Sequence, residues 1–487
     1  MKKQFVTSLA LLIFLNLLIK PFYVFVIEPS IQNAVGNVAY GFYFSLLGFS
    51  FLFNIILDAG ITNFNNRDIA QYRQLFEKYL SNIISLKLLL GIAYFIITFS
   101  IAFFIDYSPE QVKMLLLLAL NQFISCFTLY LRSNLTALHY FKTDSILSVL
   151  DKTLLIIVCS ILLWSPMVEE PFRIEWFVYA QTFAYAFTFL VAFFLVIGKA
   201  SYFRLFFEVN YYRALLKKSI PFAMLILLMT SYKWFDSFVI ERLLPHPTGK
   251  EQAGIYAQSF RILDGVSQYA YLFSILLLPL FSRMIMLKER VGQIARLSSM
   301  LLVVPVITIA VATFFYRQDI ILFFYKQDAE NSSMVLGILM FSFISISASY
   351  VFGTLLTANG NLALLNKLAG TAVLINVVLN IILIPHYKAV GCAIASAISQ
   401  TFMAISQIIF SVKIFRFHIK KTLIIKTITY AAFIVLLAVF SSQIITFWAI
   451  RYIGIIVIGI FLAVVIQLID LRVIGDIFSE SDKNKSS

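Results

Sequence analysis

Apolar runs of membrane-spanning length, separated by short polar stretches, recur from one end of the chain to the other. A hydrocarbon core of about 30 Å is crossed by about 20 helical residues, so the pattern predicts about fourteen spans. They fall near 5–27, 40–62, 81–105, 114–137, 145–166, 176–198, 219–240, 253–282, 298–315, 333–357, 369–385, 391–412, 427–447 and 452–470. The loops between them are too short to hold an extramembrane domain. The first run follows Lys2 and Lys3 as a secretory leader would. It is too long for one, Lys20-Pro21 interrupts it, and no small-residue cleavage site follows, so it reads as a retained span.

Orientation is set by Lys and Arg. With the N-terminus in the cytoplasm, 24 of them fall in cytoplasmic segments and 8 in the opposite loops, so both termini are expected inside. The segment 199–218 mixes five basic residues with Phe203, Phe206, Phe207, Leu215 and Leu216 near the middle of the chain. It reads either as an amphipathic connector lying on the anionic leaflet or as an ordinary loop.

Composition narrows the class further. Of 487 residues, 61% are hydrophobic and 13% charged, and mean hydropathy is +0.91. Soluble domains carry about a quarter charged residues, so a soluble enzyme, a disordered tail and a secreted disulfide scaffold are all excluded. The net charge of +14 is scattered over short loops and signals topology; it forms no basic face for nucleic acid. Cys126, Cys159 and Cys392 lie singly in apolar runs, which suggests neither a metal site nor a disulfide framework.

The chain repeats itself. At an offset of 213, Lys20, Glu28, Gly36, Gly41 and Tyr43 coincide with Lys233, Glu241, Gly249, Gly254 and Tyr256, among 13 identities over positions 10–43. Six spans separate the copies, so they share one orientation. Parallel repeats predict two six-helix lobes about a pseudo-two-fold axis along the membrane normal, with a substrate site between them. The lobes are expected at 1–198 and 219–412, the connector at 199–218, and two extra spans with a cytoplasmic tail at 413–487.

Charges inside spans are the candidate chemistry. A cation at the centre of a transmembrane helix costs on the order of 3 kcal/mol and usually faces a wet cavity or a partner. Lys20 lies deep in the first span and Lys233 is its repeat partner, so the two are expected to face each other; snorkelling toward the interface is the rival explanation. Span four carries Asn121, Ser125, Thr128 and Arg132 on one face, and span eight carries Gln258, Arg261, Gly265 and Gln268 beside Asp264. For both, a lumen competes with an interhelical hydrogen-bond seam. Span two aligns Tyr43, Ser50, Asn54 and Asp58, while Ser342, Ser345, Ser349 and Gly353 of span ten suit close helix packing. Lys233 with Asp236 and Arg261 with Asp264 are i, i+3 neighbours able to neutralise each other. Asp151-Lys152 reads as interfacial. Asp58, Asp236 and Asp264 are the ion-coupling candidates, with H+ or Na+ as the coupling ion. Histidines 139, 246, 386 and 418 are dispersed, and no metal, nucleotide or paired-cysteine motif occurs.

Three stretches carry a family resemblance: YGFYFSLLGFSFLFNIILDAGI (40–61), AGIYAQSFRILDGVSQYAYLFSILLLPLFSR (253–283) and FGTLLTANGNLALLNKLAGTAVLINVVLNIILIPHYKAVGCAIASAISQ (352–400). With the span count, the chain resembles the polysaccharide transporters of the multidrug/oligosaccharidyl-lipid/polysaccharide (MOP) flippase superfamily, particularly O-antigen flippases. The resemblance implies an all-α integral membrane fold of two lobes in a bacterial inner membrane. It also implies a lipid-linked oligosaccharide substrate moved by alternating access, and a cationic lumen that Lys20, Arg132, Lys233 and Arg261 fit, with Asn54, Asn121, Gln258 and Gln268 as polar lining. Expected partners are membrane lipids, a polysaccharide polymerase and glycosyltransferases, and no cofactor is expected. Two alternatives stand beside an undecaprenyl-pyrophosphate-oligosaccharide flippase. One is a lipid II flippase. The other is a drug/cation antiporter, whose lumen should be acidic. A polymerase or ligase is disfavoured because no long outer loop is present.

Overall fold

The computed structural model describes residues 2–62, 65, 76–166, 169–200, 204, 207–418, 421–444 and 447–468. Among them the chain is helical and contains no strand. In order the helices are α1 (Lys2–Phe22), a π-turn (Tyr23–Ile27), α2 (Glu28–Leu52), α3 (Asn54–Asp58), α4 (Phe76–Phe104), α5 (Pro109–Ala137), α6 (Phe141–Trp164) and α7 (Ile174–Ile197). There follow α8 (Val209–Leu243), α9 (Thr248–Met286), α10 (Val291–Phe315), α11 (Arg317–Phe324), α12 (Ala329–Ala358), α13 (Leu362–Phe415), α14 (Lys421–Ile444) and α15 (Trp448–Val465).

Eleven described helical stretches are long and apolar enough to cross a bilayer. The all-α membrane architecture expected from hydropathy is therefore present. Two of these stretches break at one non-helical residue: Gly36, at φ +79°, interrupts α2, and Lys388, at φ +53°, interrupts α13. Both breaks fall where the hydropathy pattern places a loop between consecutive spans. Positive φ suits glycine, which explains Gly36. Lys388 takes it three residues after Pro385. The start of α5 is set by a capping box. Ser108 accepts from Gln111 N at 3.3 Å, the Gln111 side chain accepts from Ser108 N at 2.9 Å, and Pro109 opens α5. Of the 199–218 connector, residues 201–203, 205 and 206 lie outside the described residues, and 209–218 form the first turns of α8.

The chain divides into two compact units. The first comprises Met1–Gln258, Phe324–Gln327 and Asn380–Ala389; the second comprises Ser259–Phe323, Asp328–Leu379 and Val390–Ser487.

Small residues bring helices together in the first unit. A Cβ on Gly48 would overlap the Ser237 hydroxyl of α8, and one on Gly60 would lie 2.8 Å from the Ser219 carbonyl oxygen. The two copies of the repeat meet through backbone. A Cβ on Gly41 would overlap the Lys250 carbonyl oxygen, and one on its repeat partner Gly254 would overlap that of Asn37. Asn37 and Lys250 are themselves 213 apart, so one contact is made twice with the roles exchanged. The repeated glutamates behave alike. Each is 2% exposed; Glu28 accepts from Tyr40 and Glu241 from Gln111 at 3.2 Å.

In the second unit, α14 and α15 are held to α10 by hydroxyl contacts. Thr308 pairs with Tyr430, which also donates to the Gly459 carbonyl at 3.0 Å. Thr313 pairs with Tyr452 at 3.1 Å and Tyr316 with Ser441 at 2.7 Å. On α12, Gly353 lets the Gln407 amide of α13 approach to 3.1 Å of its missing Cβ. That is the close packing expected of this small-residue stripe.

Candidate functional site

The site is built where α1, the π-turn, α6 and α7 pack in the first unit. Asn16, Lys20 and Tyr23 stand at i, i+4 and i+7, one face of a helix. Pro21 withdraws a backbone donor, and the helix relaxes into the π-turn Tyr23–Ile27 just beyond it. Such wider turns often mark functional positions. In a regular α-helix, residues five apart diverge by about 140°; the π-turn brings Tyr23 and Glu28 toward the same side.

The facing stripe on α6 is Ser148 and Lys152, one turn apart. Asn16 Nδ2 donates to Ser148 Oγ at 3.0 Å, which sets the register of the two helices. Lys152 is the twelfth residue of a 24-residue helix, about 18 Å from its start at 1.5 Å per residue. It is therefore a mid-membrane cation and not an interfacial one. The hydropathy pattern starts this span near 145, four residues late, which makes the pair read as interfacial.

The surroundings of Lys152 combine two tyrosines with two carboxylates, Asp151 and, beyond ion-pair distance, Glu28. Its Nζ donates to Tyr185 Oη of α7 at 3.1 Å and lies 4.8 Å and 5.1 Å from the ring centroids of Tyr23 and Tyr185. Aromatic faces stabilise a partly desolvated ammonium without neutralising it. The only carboxylate within ion-pair distance among the described residues is Asp151, at 3.6 Å, and the Lys152 side chain stays 21% exposed. Lys20 is half-buried on the α1 face between Asn16 and Tyr23. Two cations thus belong to one pair of facing stripes.

The other candidates are distributed as follows. Arg132 Nε meets Asp144 Oδ1 at 2.7 Å across the α5–α6 turn. Asp58 is paired with Lys87 at 2.8 Å, and Lys87 is 1% exposed. Asp58 also accepts from the Thr62 hydroxyl, and Lys87 donates to the Leu57 carbonyl at 3.2 Å. Asn54 donates to Gln122 at 2.9 Å, whereas Asn121 is buried with neither amide atom hydrogen-bonded among the described residues. Gln258 donates to Asn37 at 2.8 Å and to the Gln327 carbonyl at 3.3 Å, within a hydrogen-bonded seam around the Gly41–Gly254 crossing. Asp236, 1% exposed, accepts from Tyr256 and Asn380, each at 2.8 Å. The side chain of Lys233 lies outside the described residues, so the expected Lys20–Lys233 pair is not among the described geometry. Arg261, buried, and Asp264 and Gln268, half-buried, belong to the second unit. Lys152, read along the chain as interfacial, and Lys87, an in-span cation given no role there, are the two the fold places deep in their helices. The Ser148–Lys152 spacing was the available signal for Lys152.

Comparison with known proteins follows the same direction. A family model described as polysaccharide biosynthesis protein matches residues 5–285. The chain belongs to the polysaccharide biosynthesis protein family, and its fold is that of the MOP superfamily. Among solved structures, it is similar to a lipid II flippase, MurJ, in an inward closed conformation, with a TM-score of 0.69 and 16% identity over 93% of this chain and 98% of that one. It is also similar to an inward-facing MATE-family multidrug resistance transporter (TM-score 0.61, 14% identity, 81% and 94% covered). A third is a MOP superfamily transporter from Pyrococcus furiosus (0.53, 15%, 84% and 93%). No curated protein sequence matches. The chain is a multi-pass membrane protein, and its fold is shared with proteins described as flippases and transporters.

Proposed function

We propose that the protein carries an undecaprenyl-pyrophosphate-linked oligosaccharide, an O-antigen or related repeat unit, from the inner to the outer leaflet of a bacterial cytoplasmic membrane. The observation that carries this reading is Lys152: a mid-membrane ammonium, one-fifth exposed, held by tyrosines, with Asp151 no nearer than 3.6 Å and Glu28 beyond ion-pair distance. A cation costs on the order of 3 kcal/mol at that depth. Its retention makes sense if an anion comes to meet it, and the diphosphate of a lipid-linked sugar is such an anion. Lysine acts there as a mobile point charge, able to follow a moving phosphate and let it go. Lys20 supplies a second charge on the facing stripe. Arg132 and Lys87 are already engaged by carboxylates and are assigned to holding helices together. Asp58, Asp236 and Asp264 remain the candidates for the coupling ion, H+ or Na+.

The test is export of surface polysaccharide by cells carrying Lys152→Ala, Lys20→Ala or both, with membrane abundance measured alongside. The reading expects normal abundance and lost export. Normal export from the double variant would overturn it. Rescue of cells depleted of their lipid II flippase would redirect the reading to that substrate, which carries the same diphosphate.

A further inference from the structure

On the side of the first unit away from the lysine stripes, α6 and α7 leave an open groove of about 640 Å³. That volume lies within the range of small-molecule sites. Val158 and Leu162, one turn apart on α6, and Phe183 on α7 form its floor. On the same two helices Ile157, Ile161 and Phe187 are exposed apolar side chains, as expected of a surface bathed in acyl chains. Toward the α6–α7 turn the lining changes. Tyr179 and Trp176 come first, and then Glu169 and Glu170 stand at the mouth. Tryptophan and tyrosine at that level mark the headgroup layer.

Charge at the mouth is specific. Glu170 pairs with Arg173 at 3.1 Å, both exposed, while Glu169 has no ion pair among the described residues. The turn therefore carries this carboxylate, Glu169, in the groove's lining and, held next to that lining by Glu170, the guanidinium of Arg173. We propose that this groove holds one aminophospholipid, with an acyl chain along Val158, Leu162 and Phe183, its phosphate at Arg173 and its primary ammonium at Glu169. A zwitterionic headgroup presents the two opposite charges the turn can meet. A primary ammonium keeps three N–H donors for the carboxylates, as lysine does. A choline headgroup has none, and a glycerol headgroup brings only negative charge toward Glu169. This lipid site is independent of the translocated substrate.

The experiment is native mass spectrometry of the detergent-purified full chain, titrated with palmitoyl-oleoyl phosphatidylethanolamine, phosphatidylcholine or phosphatidylglycerol. The expected result is at least threefold more of the first bound complex with phosphatidylethanolamine than with either other lipid. Glu169→Gln/Glu170→Gln, on an exposed turn, should level the three. Val158→Trp, which fills the trough from its membrane side, should remove the first bound lipid of every class. Equal binding to the unmodified protein, a preference for phosphatidylglycerol, or a preference that survives the double glutamine substitution would each overturn the proposal. If Val158→Trp lowers the yield of folded protein, the glutamine variant still decides.

Discussion

Lys87 and Lys152 occupy equivalent depths, each the twelfth residue of its helix, yet their settings are opposite. Lys87 is sealed at 1% exposure against Asp58 at 2.8 Å. Lys152 is one-fifth open, with a tyrosine hydroxyl, two aromatic faces and a carboxylate no nearer than 3.6 Å. A buried pair is electrically finished: it holds α3 to α4 and has nothing left to offer a ligand. An ammonium without a hydrogen-bonded carboxylate keeps its charge available. Depth in the membrane alone therefore does not identify a substrate residue; the neighbours do.

The largest effect should come from breaking the closed member. Lys87→Met leaves Asp58, itself 19% exposed, without its partner, a loss smaller than the roughly 3–5 kcal/mol of a fully buried orphan, so folded protein in detergent, followed by fluorescence-detected size exclusion, should fall. Adding Asp58→Leu removes the orphaned charge, and Lys87→Met/Asp58→Leu should recover most of that loss. A double variant as poor as the single one would show that the pair does more than hold helices. At the open member the readouts should separate. Lys152→Ala should keep the melting temperature within a few degrees and cut export tenfold or more, roughly 1.4 kcal/mol at the transport step. The smallest change, Tyr185→Phe, removes one hydroxyl from Lys152. A hydrogen bond to a charged group contributes about 1.5–3 kcal/mol at most, less where water can replace it, so export should drop a few-fold with stability unchanged.

Much of the architecture was legible along the chain because a bilayer imposes a length on every apolar run. The interruptions at Gly36 and Lys388 lie where hydropathy dips, and the 213-residue offset anticipated the Gly41–Gly254 crossing. Ion pairing was not legible. Asp58 and Lys87 are 29 residues apart and Arg132 and Asp144 are 12 apart across a turn, and no periodicity links them. Arg132 looked like a lumen cation because its partner lies on the next helix. Lys152 reads as interfacial along the chain because the apolar run of its span starts near 145, whereas its helix starts at Phe141 and the fold turns the ammonium toward Tyr23 and Tyr185. Neighbours along a helix and neighbours in space are different sets, and charge follows the second.

The crossing at Gly41 and Gly254 has a corollary for substitution. Main-chain carbonyls rest directly on glycines there, and the amides of Gln32, Asn37 and Gln258 are hydrogen-bonded around the junction. Side chains away from this seam, in either duplicated half, can change without disturbing the joint, whereas a methyl group at either glycine would force the two backbones apart.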